Sequence, residues 1–74
     1  MNTAEAVAKV IEDLRKQADC SQVHLSEATG IPRTTLQRRL DGDPFKVNEL
    51  DAITKALGVD AAAVWSQAAL LTPS

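Results

Sequence analysis

Gly30 and Pro32 stand two residues apart in "SQVHLSEATGIPRTTLQRRLDG", and together they constrain the fold more than any other pair. Glycine accepts the left-handed backbone that ends a helix, whereas proline is tolerated in a first helical turn but not in a helix interior. A helix opening at Ser21 must therefore stop at Gly30 after about two turns. Another must begin beside Pro32, after a connector of about three residues, and run to Asp41 with Gly42 as its stop. Two short helices joined by a tight glycine-containing turn are the helix-turn-helix arrangement, here spanning about residues 21–41. The second helix of such a pair can lie in the DNA major groove.

The flanking sequence is helical as well. Val7, Val10, Ile11, Leu14 and Ala18 recur on one helical face, and Asn2 with Glu5 three residues later forms a capping box at the start of that first helix. Leu25 and Ala28 mark the inner side of the short second helix. After the breaker "DGDPF", a fourth helix follows through Val47, Leu50, Ile53, Ala56 and Leu57 to Gly58. Asp60 caps a fifth, about residues 61–71, with Ala61, Val64, Trp65, Ala68 and Leu71 on one face and Pro73 at its frayed end. No segment alternates like a strand, so the expected fold is all-α: five helices in one domain over residues 1–74.

A chain of 74 residues buries only about 60% of its unfolded surface, which leaves little room for a catalytic cleft. With 45% hydrophobic and 24% charged residues it is apolar enough to fold. The single cysteine, Cys20, cannot close an internal disulfide, and neither a secretory leader nor a membrane span is evident, so a cytoplasmic location is expected. Cys20 and His24 lie four apart, but a zinc site needs two further ligands and there is no other Cys or His. No nucleophile, base and orienting group can be assembled, so neither enzymatic activity nor a metal, cofactor or small-molecule ligand is expected.

The net charge is -2, yet Arg33, Arg38, Arg39 and Lys46, half of the eight basic residues, cluster within fourteen positions. An acidic balance discourages indiscriminate DNA binding while one helix keeps a local positive field. If Leu36 and Leu40 face the core, Thr34 and Arg38 point away from it, and Arg33 and Thr34 occupy the first turn, which usually reaches base edges. The arginine fork matches the O6 and N7 acceptors of guanine, and a threonine methyl can pack on that of thymine. Arg33, Thr34 and Arg38 are thus the expected base contacts. Ser21, Gln22, Thr35, Gln37, Arg39 and Lys46 are the expected phosphate contacts.

The segment "SQVHLSEATGIPRTTLQRRLDG", followed by "VNELDAITKALGVDAAAVW", resembles the helix-turn-helix domain of lambda-type phage repressors and Cro proteins, the XRE-like group. Ser21-Gln22, Leu25, Gly30-Ile31, Leu36 and Leu57-Gly58-Val59 stand where that family places its Thr/Ser-Gln, core leucine, turn, buried aliphatic residue and helix exit. The run "PRTTLQRRLDG" with "F-x-V-x-EL" is also similar to small actinobacteriophage repressors. The resemblance implies base contacts from Arg33, Thr34 and Arg38, a phosphate contact from Gln22, and the role of a transcription regulator occupying a double-stranded operator. Family members often carry Ser or Thr where Pro32 and Lys46 stand, and Glu where Leu40 stands.

A second reading is a protein-binding helical module, such as an antitoxin or anti-repressor, that uses the surface of the fifth helix. Ala62, Ala63, Ala69 and Leu70 leave that helix apolar nearly all round, and a helix of this kind is expected to be covered on both sides. The expected result is a monomer in equilibrium with a weak homodimer, with Trp65, Ala69 and Leu70 at the interface.

Overall fold

Each helix begins and ends where local chemistry permits. In the computed structural model, which describes residues 2–72, the Asn2 side chain accepts the Glu5 N–H at 2.8 Å. The Glu5 carboxylate accepts the Asn2 N–H at 3.2 Å, and this reciprocal cap opens α1 (Thr3–Gln17). α1 closes with Asp19 in the left-handed region at φ 56°, while Cys20 N–H bonds to Arg15 C=O at 3.0 Å and Asp19 N–H to Lys16 C=O at 3.1 Å. This is a Schellman ending with aspartate where glycine usually stands.

α2 (Gln22–Thr29) is capped by Ser21 and ended by Gly30 at φ 75°. α3 (Arg33–Leu40) follows Pro32 and closes one residue earlier than expected, with Asp41 as its cap and Gly42 at positive φ beyond it. α4 (Val47–Leu57) ends at Gly58, and α5 (Ala61–Leu71) starts from Asp60, whose carboxylate accepts the Ala62 N–H at 3.0 Å. No strand occurs among the described residues, so the fold is all-α. The expectation concerning Pro73 lies outside them.

The five largest fully buried side chains come one from each helix: Ile11, Leu25, Leu36, Ile53 and Val64. Around them α5 lies along α1 and touches α4, α2 packs on α3 and α4, and α3 sits against α1 and α2. α1 supplies the largest share of the core, burying Ala6, Val7, Ala8, Val10 and Ile11, with Leu14 partly covered.

Several expected core positions lie elsewhere. Ala18, Ala28, Val47 and Ala56 are exposed, Val47 the most at 83%, because α2 buries only Leu25 and α4 turns Leu50, Ile53 and Thr54 inward. On α5 the buried stripe is Val64 and Ala68, whereas Trp65 and Leu71 are each nearly half exposed at its margins. Trp65 instead flanks an apolar groove with Ala4, Val7, Pro44, Phe45 and Leu50.

Candidate nucleic-acid interface

The turn between α2 and α3 is fastened by its own side chains. The Ser26 hydroxyl donates to Ile31 C=O, and the Thr29 hydroxyl donates to Leu25 C=O at 2.7 Å while accepting the Ile31 N–H at 3.3 Å. Gly30 N–H returns to Ser26 C=O at 2.9 Å, and the Ile31 side chain is buried. Sequence reasoning named Gly30 and Pro32 but missed Ser26 and Thr29. Their signal was two hydroxyl residues just ahead of a helix-ending glycine, where such side chains bond to nearby backbone.

From this fixed start α3 points Leu36 into the core and leaves Leu40 partly covered. At ~100° per residue, Thr34 and Arg38 lie about 160° from Leu36. Arg33, Thr34, Gln37 and Arg38 are all exposed, and Thr35 is half-buried. Pro32 provides no side-chain cap, so the first-turn N–H groups of α3 have no side-chain acceptor. Thr34 and Arg38 therefore share the outward face of one short helix, and Arg33 is exposed beside them in its first turn.

Electrostatic pairing sorts the cations. Lys9 pairs with Asp13 at 2.9 Å, Arg15 with Glu12 at 2.8 Å, Lys55 with Asp51 at 2.9 Å and Arg39 with Glu49 at 2.9 Å. Among the described residues, Lys16, Arg33, Arg38 and Lys46 are the cations without an ion-pair partner. Three of these four lie on α3 or immediately before α4.

Arg39 departs from expectation. Its side chain is only 13% exposed, its Nε donates to Glu49 Oε1, and Asp43 lies 3.8 Å from its Nη1. The guanidinium is thus engaged by two carboxylates, unlike the unpaired Arg33, Arg38 and Lys46. Burial pushes the Glu49 carboxyl up, but hydrogen bonds from Arg39 and from the Lys46 N–H outweigh that effect and leave it below the usual range.

The remaining expected phosphate contacts are dispersed around this core arrangement. Ser21 caps α2 by accepting the His24 N–H at 3.1 Å, and Gln22 is half-buried in the first turn. Lys46 is exposed; its backbone N–H is held by Glu49 Oε1 at 2.8 Å, so α4 is capped from its third residue rather than by Ser or Thr. No group of three or more residues able to hold a metal occurs among the described residues, and Cys20 packs against the core.

Trp65 and Ala69 share one exposed stripe of α5. Leu70, 85% exposed, lies about 100° further round that helix. Among the described residues, no helix is long and apolar enough to cross a membrane.

A family model described as helix-turn-helix matches residues 11–64, which contain the last part of α1 and all of α2, α3 and α4. No curated protein and no solved structure matches the chain.

Proposed function

Because the chain belongs to the helix-turn-helix family, with a lambda repressor-like domain, we propose that it is a sequence-specific regulator of the Cro or immunity-repressor kind. In this reading it acts in a bacterial cytoplasm and occupies a double-stranded operator by laying α3 in the major groove. The observation that carries the reading is the pairing pattern: Arg33 and Arg38 stand exposed and unpaired on the outer surface of α3 while four other cations are bound to carboxylates.

Arg33, Thr34 and Arg38 read base edges. Ser21, Gln22, Thr35, Gln37 and Lys46 hold phosphates around them. Each copy carries one such helix and reads one half-site, so a two-half-site operator takes two copies, paired weakly through α5.

Selection of bound sequences from a random DNA pool, followed by affinity measurements across salt concentration, tests the proposal. One preferred site should emerge, and log K should fall against log salt with a slope of roughly -4 to -5, as for four to six phosphate contacts. No enrichment together with a slope near zero would overturn it in favour of a protein-binding module.

A further inference from the structure

Of the ion pairs among the described residues, Arg39 with Glu49 is the one that joins two helices. Lys9 with Asp13, Arg15 with Glu12 and Lys55 with Asp51 lie within single helices, and Arg39 with Asp43 joins α3 to the loop after it. Both members of the interhelical pair are largely buried, at 13% and 12% exposure. One carboxylate oxygen, Glu49 Oε1, accepts Arg39 Nε at 2.9 Å and the Lys46 N–H at 2.8 Å, which fixes the carboxylate against the start of α4.

α3 has few other anchors. Its leading end is tied by the Ser26 and Ile31 bond and the buried Ile31 side chain, its middle by Leu36 and its last turn by the partly covered Leu40, and its packing partners are α1 and α2. One fully buried leucine, with Leu40 only partly covered, fixes the direction of a short helix less firmly than five buried side chains fix that of α1. A guanidinium Nε–H is rigid and directional, so engaging it at the last turn removes that freedom. Arg38 is the preceding residue in the chain, and its placement follows directly.

We propose that Glu49 is a positioning residue for base reading: through Arg39 it sets the angle at which α3 presents Arg33, Thr34 and Arg38 to the groove. The inference rests on the DNA-binding reading above. It implies that an acidic residue, on a helix that supplies no base contact, governs sequence discrimination.

The test compares wild type, Glu49→Gln and Arg39→Lys on the selected site, on a single-mismatch site and on random DNA, at a temperature where circular dichroism shows each variant folded. Glu49→Gln keeps an acceptor for the Lys46 N–H but removes the charge, and Arg39→Lys keeps the charge but removes the directed Nε–H. Both should lower affinity for the selected site roughly tenfold and narrow its margin over the mismatch, while random-DNA affinity and salt slope stay within about twofold. In the free protein, residual dipolar couplings should show α3 reoriented against an unchanged α1, α4 and α5.

Unchanged discrimination and unchanged couplings in both variants would overturn the proposal and leave the pair a stability element. Uniformly stronger binding of all sequences by Glu49→Gln would overturn it differently, by revealing Arg39 as a phosphate ligand held in check. Should Glu49→Gln fail to fold, Arg39→Lys decides alone. A wild type that binds no DNA overturns the parent reading, and this outcome is distinct from wild-type binding with indifferent variants.

Discussion

Arg38 and Arg39 are neighbours with opposite fates, one exposed and unpaired, the other held between Glu49 and Asp43. Replacing Arg38 with alanine should cost about 1 to 3 kcal/mol on the preferred site and flatten preference at one base pair. Competition binding against a panel of single-base variants of the site measures this, and equal losses on every sequence would move Arg38 to the phosphate contacts. Asp19 makes a second prediction, independent of DNA. It occupies left-handed backbone at φ 56°, where a side chain is strained and glycine is not. Asp19→Gly should raise stability by roughly 0.5 to 1 kcal/mol, or about 3 to 6 °C in melting temperature, read from thermal and denaturant unfolding. A loss would mean that the aspartate contributes more than its backbone costs.

The elements themselves were legible because their boundaries are chemical. Asn2 with Glu5, Ser21, Gly30, Pro32, Gly58 and Asp60 each do in the structure what their residue types imply. Three features were not readable. Asp19 carries no strong stop signal, so the manner in which α1 closes was missing. α5 is apolar nearly all round, so periodicity could not fix its rotation, and Trp65 and Leu71 moved to the margins of the buried stripe. Arg39 and Glu49 meet across ten positions on different helices, a tertiary event that helical spacing cannot anticipate. Outward placement of Thr34 and Arg38, by contrast, followed from the inward face of Leu36 and Leu40, and exposure of Arg33 from its place in the first turn.

Two of these ion pairs also set the acid response of the helices. The hydrogen bond from Arg15 holds the Glu12 carboxyl below its ordinary value of 4.5, and Glu49 is lowered in net. A carboxylate whose folded-state pKa is depressed contributes stability that is fully present above its unfolded value and is lost as pH falls through the folded one. The melting temperature should therefore decline as pH drops below about 4.5, and Glu12→Gln should make that decline shallower while lowering the plateau at neutral pH. Melting curves from pH 7 to about pH 3 check both signs.

For the whole molecule, the proposed pairing of two copies runs through the exposed surface of α5. Its apolar part is confined to Trp65, Leu70 and Leu71 with the small Ala62 and Ala69, and Ser66 and Gln67 interrupt it, so the area available to bury is small; pairing should be concentration-dependent, mainly monomeric when dilute and fuller on a two-half-site operator. Leu70→Glu should abolish pairing while leaving half-site binding intact, because Leu70 is 85% exposed and outside the core. Sedimentation over a wide concentration range tests this; a strict monomer throughout removes the interface.

The unequal anchoring of the helices has a further consequence for how the molecule comes apart. α1 buries five side chains, whereas α3 fully buries one, and its first turn has no side-chain cap. Regions with few buried contacts open at lower free energy than the global transition, so amide exchange should be fastest to reach α3, with Ile11 and Ile53 protected longest. A chain in that partly open state keeps its scaffold of α1, α4 and α5 but has lost the helix that carries Arg33, Thr34 and Arg38. Sensitivity to proteases and the ability to discriminate between sequences would then be limited by the same local opening, well below the temperature at which the fold melts.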